Sequence, residues 1–442
     1  MLAWGYLHGV RSSRKLARLA RQEAAFVYLA GGGQPNYRTL ARFRRDNAAA
    51  FVAVFQDTVI LALRLGLVRL GHVALDGTKL RANTSKHKAM SYRWMQQREA
   101  QLKEEIAHLV EQAEARDDAE DQEYGIDSDG YSVTEELARR EARLAKIRVL
   151  RDRLEAEQRA KQGLAEDETP VIDGKEQRSF ADGDARMMLL KRGEYAYAYT
   201  AQAAADADSG VIVAADLTNV APDEGHLPSL VQQIRWLRTL AGLPDETPTT
   251  ASADAGYFSH ANAAEDGRGI DLLIAAGRDD PAERATRTAV LSAEAFGYDA
   301  ATDTWVCPAG ARLEREKTPA GAIGRPVKNR YHADPTTCVT CPLRLRCLQP
   351  GTTSTRWVVH RGRAAGAMRF KLRQPWARRR YARRKVIIEP IFGQLKEDRD
   401  FTALSLRGLV LAKAEYLLAC LAHNLGKLLR VCALPACQPV TA

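Results

Sequence analysis

Two apolar segments of this chain each end at an aspartate that glycine follows within two residues. They read "VALDG" at 73–77 and "ASADAG" at 251–256. Both have the length and composition of a buried β-strand. A carboxylate at the end of such a strand is either a turn residue or a ligand for something that arrives from solvent. For Asp76 or Asp254 alone the turn interpretation is favoured, so the rest of the chain has to decide between the two.

A third acidic residue, Glu389, lies in the apolar stretch "VIIEPIF". Its neighbours, Val386 among them, predict a segment that packs on the core with the glutamate half-buried. Burying a carboxylate is costly unless it is paired or bound to a metal. We therefore expect Asp76, Asp254 and Glu389 to converge, with a divalent cation offsetting their mutual repulsion. Such a site suits two-metal phosphodiester chemistry, and Mg²⁺ suits ligands that are all oxygen.

The order of the predicted elements indicates a mixed α/β fold. A strand at 71–76 precedes two charged helical stretches, at about 86–116 and 133–162, which form an antiparallel hairpin. This hairpin is either structural or a dimerisation arm. Two antiparallel strands, a helix, the strand that ends at Asp254, a short helix and a further strand follow, and the remainder is expected to be mostly helix.

Residues 12–70 have apolar side chains at helical spacing. Within them, "NYRTLARFRRDN" has a polar start and several arginines, which suits a small DNA-contacting domain. A plain helical bundle explains the pattern equally well.

The charge of the chain is strongly segregated. The formal net charge is +10, and residues 361–385 hold eleven Lys or Arg and no acid, whereas residues 114–130 hold eight Asp or Glu and one Arg. A basic surface favours a polyanionic partner such as nucleic acid, although a solvated helix face has the same composition. The sequence has no apolar run of about 20 residues and no secretory signal pattern, so we expect the cytoplasm.

Four of the seven cysteines are grouped in the C-terminal half. They are Cys307, Cys338, Cys341 and Cys347. A C-x₂-C pair with two further thiolates can bind tetrahedral Zn²⁺ in a structural site, and the alternative is that all four are free thiols.

Three segments that contain the acidic residues resemble the bacterial insertion-sequence DDE transposases, whose core is RNase H-like. "ALDGTKLRANTSKHKAMSY" resembles the first catalytic segment, "ASADAGYFS" the second, and "YARRKVIIEPIFGQLK" the signature around the catalytic glutamate. The resemblance implies that Asp76, Asp254 and Glu389 are the catalytic, metal-binding triad, with Lys396 as the basic residue after it. The chain departs from the widespread signature in having Tyr381 and Arg384 one position early.

The resemblance also implies an activity and its partners. Such enzymes cleave the phosphodiester at the ends of their element and join the freed 3′-hydroxyl to target DNA. They use Mg²⁺ or Mn²⁺, bind terminal inverted repeats as dimers or larger assemblies, and act at the nucleoid. Basic residues of this chain would then contact phosphates, namely Arg379, Arg380, Arg383, Arg384, Lys385 and Lys396.

The expected organisation is an N-terminal helical domain, 1–70, followed by an RNase H-like catalytic domain, 71–442. The second carries a charged hairpin at about 86–165 and a Cys-rich insertion at about 296–360. Against the resemblance, Met1 enters partway into the N-terminal helices, which leads us to expect a shortened chain. Two alternatives to a transposase stay open, namely a nuclease that does not join strands and an inactive DNA-binding remnant.

Overall fold

The architecture is a mixed β-sheet covered by helices, with a helical hairpin and a small second sheet attached. The computed structural model describes residues 1–85, 89–124, 133–190, 193–275, 291, 295–299, 302, 304–315, 330–348, 355–359, 368 and 370–433. The predicted mixed α/β class is confirmed. Parts of the acidic segment, 125–130, and of the basic segment, 361–367 and 369, lie outside the described residues.

Six strands form the main sheet, which has both parallel and antiparallel neighbours. They are β1 (His72–Arg81), β4 (Arg186–Leu189), β5 (Tyr195–Asp206), β6 (Ile212–Thr218), β7 (Thr249–Ala253) and β8 (Ile270–Ile274). Their order is β4-β5-β1-β7-β8, and β6 pairs with the same edge of β5 that β4 uses. β1 runs antiparallel to β5, whereas β1, β7 and β8 are parallel. The predicted antiparallel pair is the β5–β6 hairpin.

Alternation along β5 explains why this strand forms the middle of the sheet. Tyrosine and alanine alternate in "YAYAYTAQAAAD", and every residue from Tyr197 to Asp206 is buried. A strand that is covered on both faces needs small residues where a helix packs closely. At the hairpin turn, Asp206 accepts hydrogen bonds from the backbone N–H of Asp208 and Ser209, and Gly210 adopts a positive φ of 66°.

The last helix of the chain packs on β6 of the main sheet and contacts two of the N-terminal helices. The five N-terminal helices are α1 (Leu2–Leu7), α2 (Ser13–Gln22), α3 (Ala24–Leu29), α4 (Tyr37–Asp46) and α5 (Ala48–Arg64), and the last helix is α14 (Leu409–Ala433). Side chains of α1, α5, α14 and the sheet belong to one hydrophobic core. Buried Asn424 of α14 bonds both backbone groups of Ile212, each at 2.9 Å, and so fixes this helix to β6.

The charged segment after β1 forms the expected hairpin. Its helices are α6 (Tyr92–Tyr124) and α7 (Val133–Gln162), and short strands β2 (Ala89–Ser91) and β3 (Gln177–Ser179) pair at its base. Leu102 and Ile147 are fully buried in a small core between the helices. Glu99, also buried, forms ion pairs with Arg148 and Arg151 across the hairpin.

The described part of the chain after β8 is mostly helix, as expected, but it also contains strands that the sequence did not predict. Short strands build a five-stranded antiparallel sheet there, in the order β13-β12-β11-β10-β9. They are β9 (Gly297–Asp299), β10 (Thr304–Val306), β11 (Arg312–Arg315), β12 (Arg330–His332) and β13 (Trp357–Val359). Three- and four-residue strands are too short to show a two-residue period in the sequence.

The remaining helices lie between and after these strands in the chain. α8 (Leu227–Leu240) and α9 (His260–Ala263) flank β7, and α10 (Pro335–Val339) and α11 (Arg344–Cys347) lie in the Cys-rich part. α12 (Pro375–Ala382) and α13 (Arg384–Gly393) follow, and a π-helical turn, Gln394–Asp398, extends α13. In the described part of the chain, no single helix is long and apolar enough to cross a membrane; the bent pair α4 and α5 passes that test by length and composition together.

Candidate active site

Asp76 lies in the middle of β1 rather than at its end, so the predicted strand 71–76 is too short. β1 continues to Arg81 because β5 pairs with it from Val73 to Arg81. The pairing with parallel β7, by contrast, ends at Ala74 and Ser252. Asp76 therefore stands where β1 loses one of its two neighbours, which leaves its side chain partly exposed, at 22%.

Asp254 follows the last residue of β7, as predicted. Its Oδ1 accepts a hydrogen bond of 2.9 Å from the backbone N–H of Gly256, so the side chain caps a 3-10 turn, Ala255–Tyr257. Ala74 pairs with Ser252 in the parallel register. Continuing that register by two residues places Asp76 beside Asp254. The structure therefore brings the two aspartates together at the point where β7 ends.

Charge and burial act against each other at Asp76. Burial raises the pKa of its carboxyl, and the carboxylate of Asp254 raises it further, whereas the guanidinium of Arg384 and the N–H of Gly77 lower it. The net direction is upward. A carboxylate pair that is destabilised in this way gains most from a cation placed between its members.

Arg384 approaches this pair from the first turn of α13. Its Nη1 lies 3.2 Å from Oδ2 of Asp76, and its side chain is 8% exposed. Neither Nη1 nor Nε makes a hydrogen bond of good geometry with any described residue. Arg384 therefore forms an ion pair with Asp76 that lacks the geometry of a hydrogen bond, and its buried Nε has no partner among the described residues.

Glu389 is exposed, and the expectation that it is half-buried is wrong. The inward face of α13 consists of Arg384, Ile387, Ile388 and Ile391, while Val386 is 71% exposed and shares the outer face with Glu389. Residues three positions apart share a helix face, so Val386 and Glu389 point away from the core together. Among the described residues, no three His, Cys, Asp or Glu side chains are close enough to hold a metal ion. The structure brings Asp76 and Asp254 together and leaves Glu389 outside that group.

Sequence reasoning missed a third carboxylate beside the pair, Asp223. It lies in the loop between β6 and α8, and its Oδ1 accepts a 2.7 Å hydrogen bond from Nε2 of Gln202. Gln202 is fully buried and accepts in turn from the hydroxyl of Tyr257, which is also fully buried. Burial raises the pKa of Tyr257 well above its ordinary value, and the charges of Asp223, Asp76 and Asp254 add to the rise. The cue in the sequence was an aspartate between a strand and a helix, in "NVAPDEGHL".

The predicted phosphate-binding residues differ in what they contact. Arg379 of α12, Arg383 between the two helices and Lys385 of α13 are exposed. Arg380 donates to Oγ1 of Thr250 and to the carbonyl of Gly71, and Lys396 donates to Oγ1 of Thr78 at 2.6 Å. Arg384, paired with Asp76, is buried.

Three of the four clustered cysteines, Cys307, Cys338 and Cys347, pack against the core of the small sheet. Burial raises the pKa of the Cys347 thiol, and Cys338, Cys307 and Cys341 raise it further, so the four sulfur atoms lie near one another. The backbone N–H of Ala311 donates to Sγ of Cys307 at 3.2 Å. Thiolates are zinc ligands by type, but these do not form a close metal-binding group in this conformation.

Comparison with known proteins finds a similarity in the C-terminal part of the chain. Residues 306–429 match the family model described as the transposase DDE domain. The matched part contains Glu389 and the four clustered cysteines. No curated protein and no solved structure matches the chain. The similarity to the transposase DDE domain therefore extends over residues 306–429.

Proposed function

We propose that the chain is an insertion-sequence transposase that hydrolyses phosphodiester bonds at the ends of its element and joins the freed strands to target DNA. The observation that carries this proposal is that Asp76 and Asp254 lie side by side in the register of the neighbouring parallel strands β1 and β7. It is supported by the transposase DDE domain match over residues 306–429. The strand order β4-β5-β1-β7-β8 and the helices α8 and α13 are consistent with an RNase H-like core.

The cofactor in this proposal is Mg²⁺ or Mn²⁺. Proteins commonly hold Mg²⁺ by one or two carboxylates, with water and substrate phosphates completing the shell. Asp76 and Asp254 fit that pattern, and the raised pKa of Asp76 fits a site that a cation would stabilise. When bound, such ions activate the attacking oxygen and stabilise the leaving one.

Glu389 is the third catalytic residue of this proposal. Its support is its place in the signature that resembles the family's glutamate segment, within the matched residues. The same helix brings Arg384 to Asp76, so α13 borders the aspartate pair. The exposed position of Glu389 leaves its carboxylate accessible to DNA and to ions from solvent.

DNA is the proposed partner, both as terminal inverted repeats and as target. Exposed Arg379, Arg383 and Lys385 on neighbouring turns would contact phosphates, and such contacts make affinity salt-dependent. The helical region 1–70 adds a second basic surface. Paired DNA ends imply a homodimer or larger assembly, with the hairpin of α6 and α7 as the candidate arm.

Zinc is proposed as a separate, structural ion of the Cys-rich part. The small sheet has five fully buried core residues, namely Phe296, Leu313, Tyr331, Ala333 and Val358. A core of that size gains much from a metal cross-link. Cys307, Cys338, Cys341 and Cys347 supply four thiols near one another.

The test supplies the purified chain and Mg²⁺ with DNA that carries the element's ends, and with a scrambled duplex of the same length. The proposal expects cleavage at the ends and a joined product with target DNA. Equal cutting of both duplexes without joining would favour a nuclease. No cutting of either would favour an inactive DNA-binding remnant.

A further inference from the structure

The loop that carries Asp223 is tied, through Asn262, to the turn that begins at Asp254. Glu224 contributes its backbone carbonyl as an acceptor for Nδ2 of Asn262, at 2.6 Å, and that amide also bonds the carbonyl of Tyr257 at 2.7 Å. Asn262 is buried. The β6–α8 loop is thereby tied to the turn that begins at Asp254, so Asp223 has a fixed position.

Two glycines make room for the Asp223 carboxylate. A Cβ atom on Gly77 would lie 2.7 Å from Oδ1 of Asp223, and one on Gly256 would lie 3.3 Å from Oδ2. Gly77 follows Asp76 directly, and Gly256 is the residue that Asp254 caps. The carboxylate of Asp223 therefore lies between the backbone segments that carry the two aspartates.

The two oxygens of Asp223 have different environments. Oδ1 accepts from Gln202, whose own carbonyl oxygen accepts from Tyr257, so a buried chain of hydrogen bonds orients the carboxylate. No described residue donates a side-chain or backbone hydrogen bond to Oδ2. This oxygen faces Gly256 and Asp254 and is available to a ligand.

A second observation indicates that an oxygen-rich ligand belongs at this place. Arg384 is more than nine-tenths buried next to Asp76, and its Nη1 forms an ion pair with Oδ2 of Asp76 at 3.2 Å, yet its Nε has no hydrogen-bond partner among the described residues. Buried donors without partners are rare because they cost free energy, so water or a phosphate oxygen is expected to complete them.

We propose that Asp223 is a third acidic group of the cation site, acting on the ion through its bound water. This inference rests on the proposed function. Asp76, Asp254 and Asp223 do not form a direct three-ligand group, but Mg²⁺ and Mn²⁺ retain water ligands, and Oδ2 of Asp223 can accept from one. Asp223 is thus a positioning residue that raises cation affinity and orients the water shell.

The experiment measures Mn²⁺ binding to the metal-depleted full-length chain by calorimetry, together with end cleavage and thermal unfolding. Asp223→Asn keeps the acceptor for Gln202 and removes the charge. Glu224→Gln, at the exposed neighbouring carboxylate, is the matched control. We expect Asp223→Asn to weaken Mn²⁺ binding about tenfold or more, with metal-free unfolding unchanged, and the control to match wild type.

The outcomes distinguish a failure of the proposed role of Asp223 from a failure of the proposed transposase function. Wild-type affinity in Asp223→Asn, or no Mn²⁺ binding by wild type, would overturn it. If Asp223→Asn unfolds, Asp223→Ser provides a second removal of the carboxylate under the same readout. If the wild-type chain binds Mn²⁺ through Asp223 but cleaves no DNA, the transposase proposal is contradicted and the role of Asp223 in cation binding is supported.

Discussion

Gly77 and Asp223 are so close that a methyl group on the glycine would lie 2.7 Å from Oδ1 of the aspartate. The same methyl would lie 2.6 Å from Nε2 of Gln202, which orients that aspartate. Contacts this short do not occur at real Cβ atoms. A side chain at the residue after Asp76 would therefore have to displace the ends of the Gln202 and Asp223 side chains. Backbone strain does not contribute, because the φ of Gly77 lies outside the left-handed region.

Gly77→Ala is expected to displace Gln202 and Asp223. Overpacking of this kind costs about 1–3 kcal/mol, and the displaced carboxylate should lower Mn²⁺ affinity and end cleavage together. Thermal unfolding and calorimetry on the same variant measure both effects. Gly71→Ala, where a Cβ has nothing within 4 Å, is the control and should be neutral. Equal effects of the two variants would contradict the crowding at Gly77.

Arg384→Gln is expected to strengthen cation binding. Its guanidinium, 3.2 Å from Asp76, repels a divalent ion at the aspartate pair, and glutamine removes that charge. We expect Mn²⁺ affinity to rise severalfold in calorimetry, whereas the adjacent exposed Lys385→Gln should change it little. Unchanged affinity in Arg384→Gln would mean that the ion does not bind near Asp76.

Two buried histidines make the stability of the chain depend on pH. Burial lowers the pKa of His72 to about 4, with Arg380 and Arg383 adding to the effect, and burial lowers that of His423 to about 4 as well. The unfolded chain takes up these protons near pH 6.5, before the folded chain does. The contribution of these histidines to stability is therefore complete above that pH and is lost as the pH drops toward about 4, by roughly 1.4 kcal/mol per pH unit for each histidine.

Denaturant unfolding at several pH values checks this dependence. His72→Gln keeps an amide near Oγ1 of Ser252, which His72 contacts at 2.9 Å, but cannot titrate. Its free energy of unfolding should fall less steeply than that of wild type as the pH drops from about 6.5 to about 4. Exposed His8→Gln is the control. A wild-type stability that does not change over this range would contradict the lowered pKa of the two histidines.

Chain purified without chelator is expected to contain about one zinc ion, held by the clustered cysteines. Cys341→Ser should lose the ion and lower the unfolding temperature, because the small sheet has few buried residues of its own. Cys420→Ala, in buried α14, leaves the cluster intact and should retain zinc. Wild-type chain without zinc in elemental analysis would favour four free thiols.

Much of the fold was predictable from local patterns, because strand ends, turns and helical spacing are written in adjacent residues. Asp254 after its strand, the β5–β6 hairpin and the charged helical pair were predicted in this way. The extension of β1 beyond Asp76 was not, because it depends on pairing with β5, a partner more than a hundred residues away. The exposure of Glu389 could have been read from helical spacing, since Val386 and Glu389 share one face and Ile387, Ile388 and Ile391 the other.

Asp223 shows where sequence reasoning about the site ends. Nothing adjacent to it in the chain distinguishes it from an ordinary loop aspartate before a helix. Its role is set by Gly77, Gln202 and Gly256, which tertiary structure brings around it from three other elements. Contacts of this kind appear only once the sheet register is known.

The most direct test of the central claim compares wild type with Asp254→Asn in Mg²⁺-dependent cleavage and strand transfer on DNA with the element's ends. Asp208→Asn, at the exposed β5–β6 turn, is the matched control. We expect wild type and the control to cleave and join, and Asp254→Asn to lose activity by about a hundredfold or more with its fold intact. Undiminished activity of Asp254→Asn would contradict a catalytic site built on Asp76 and Asp254.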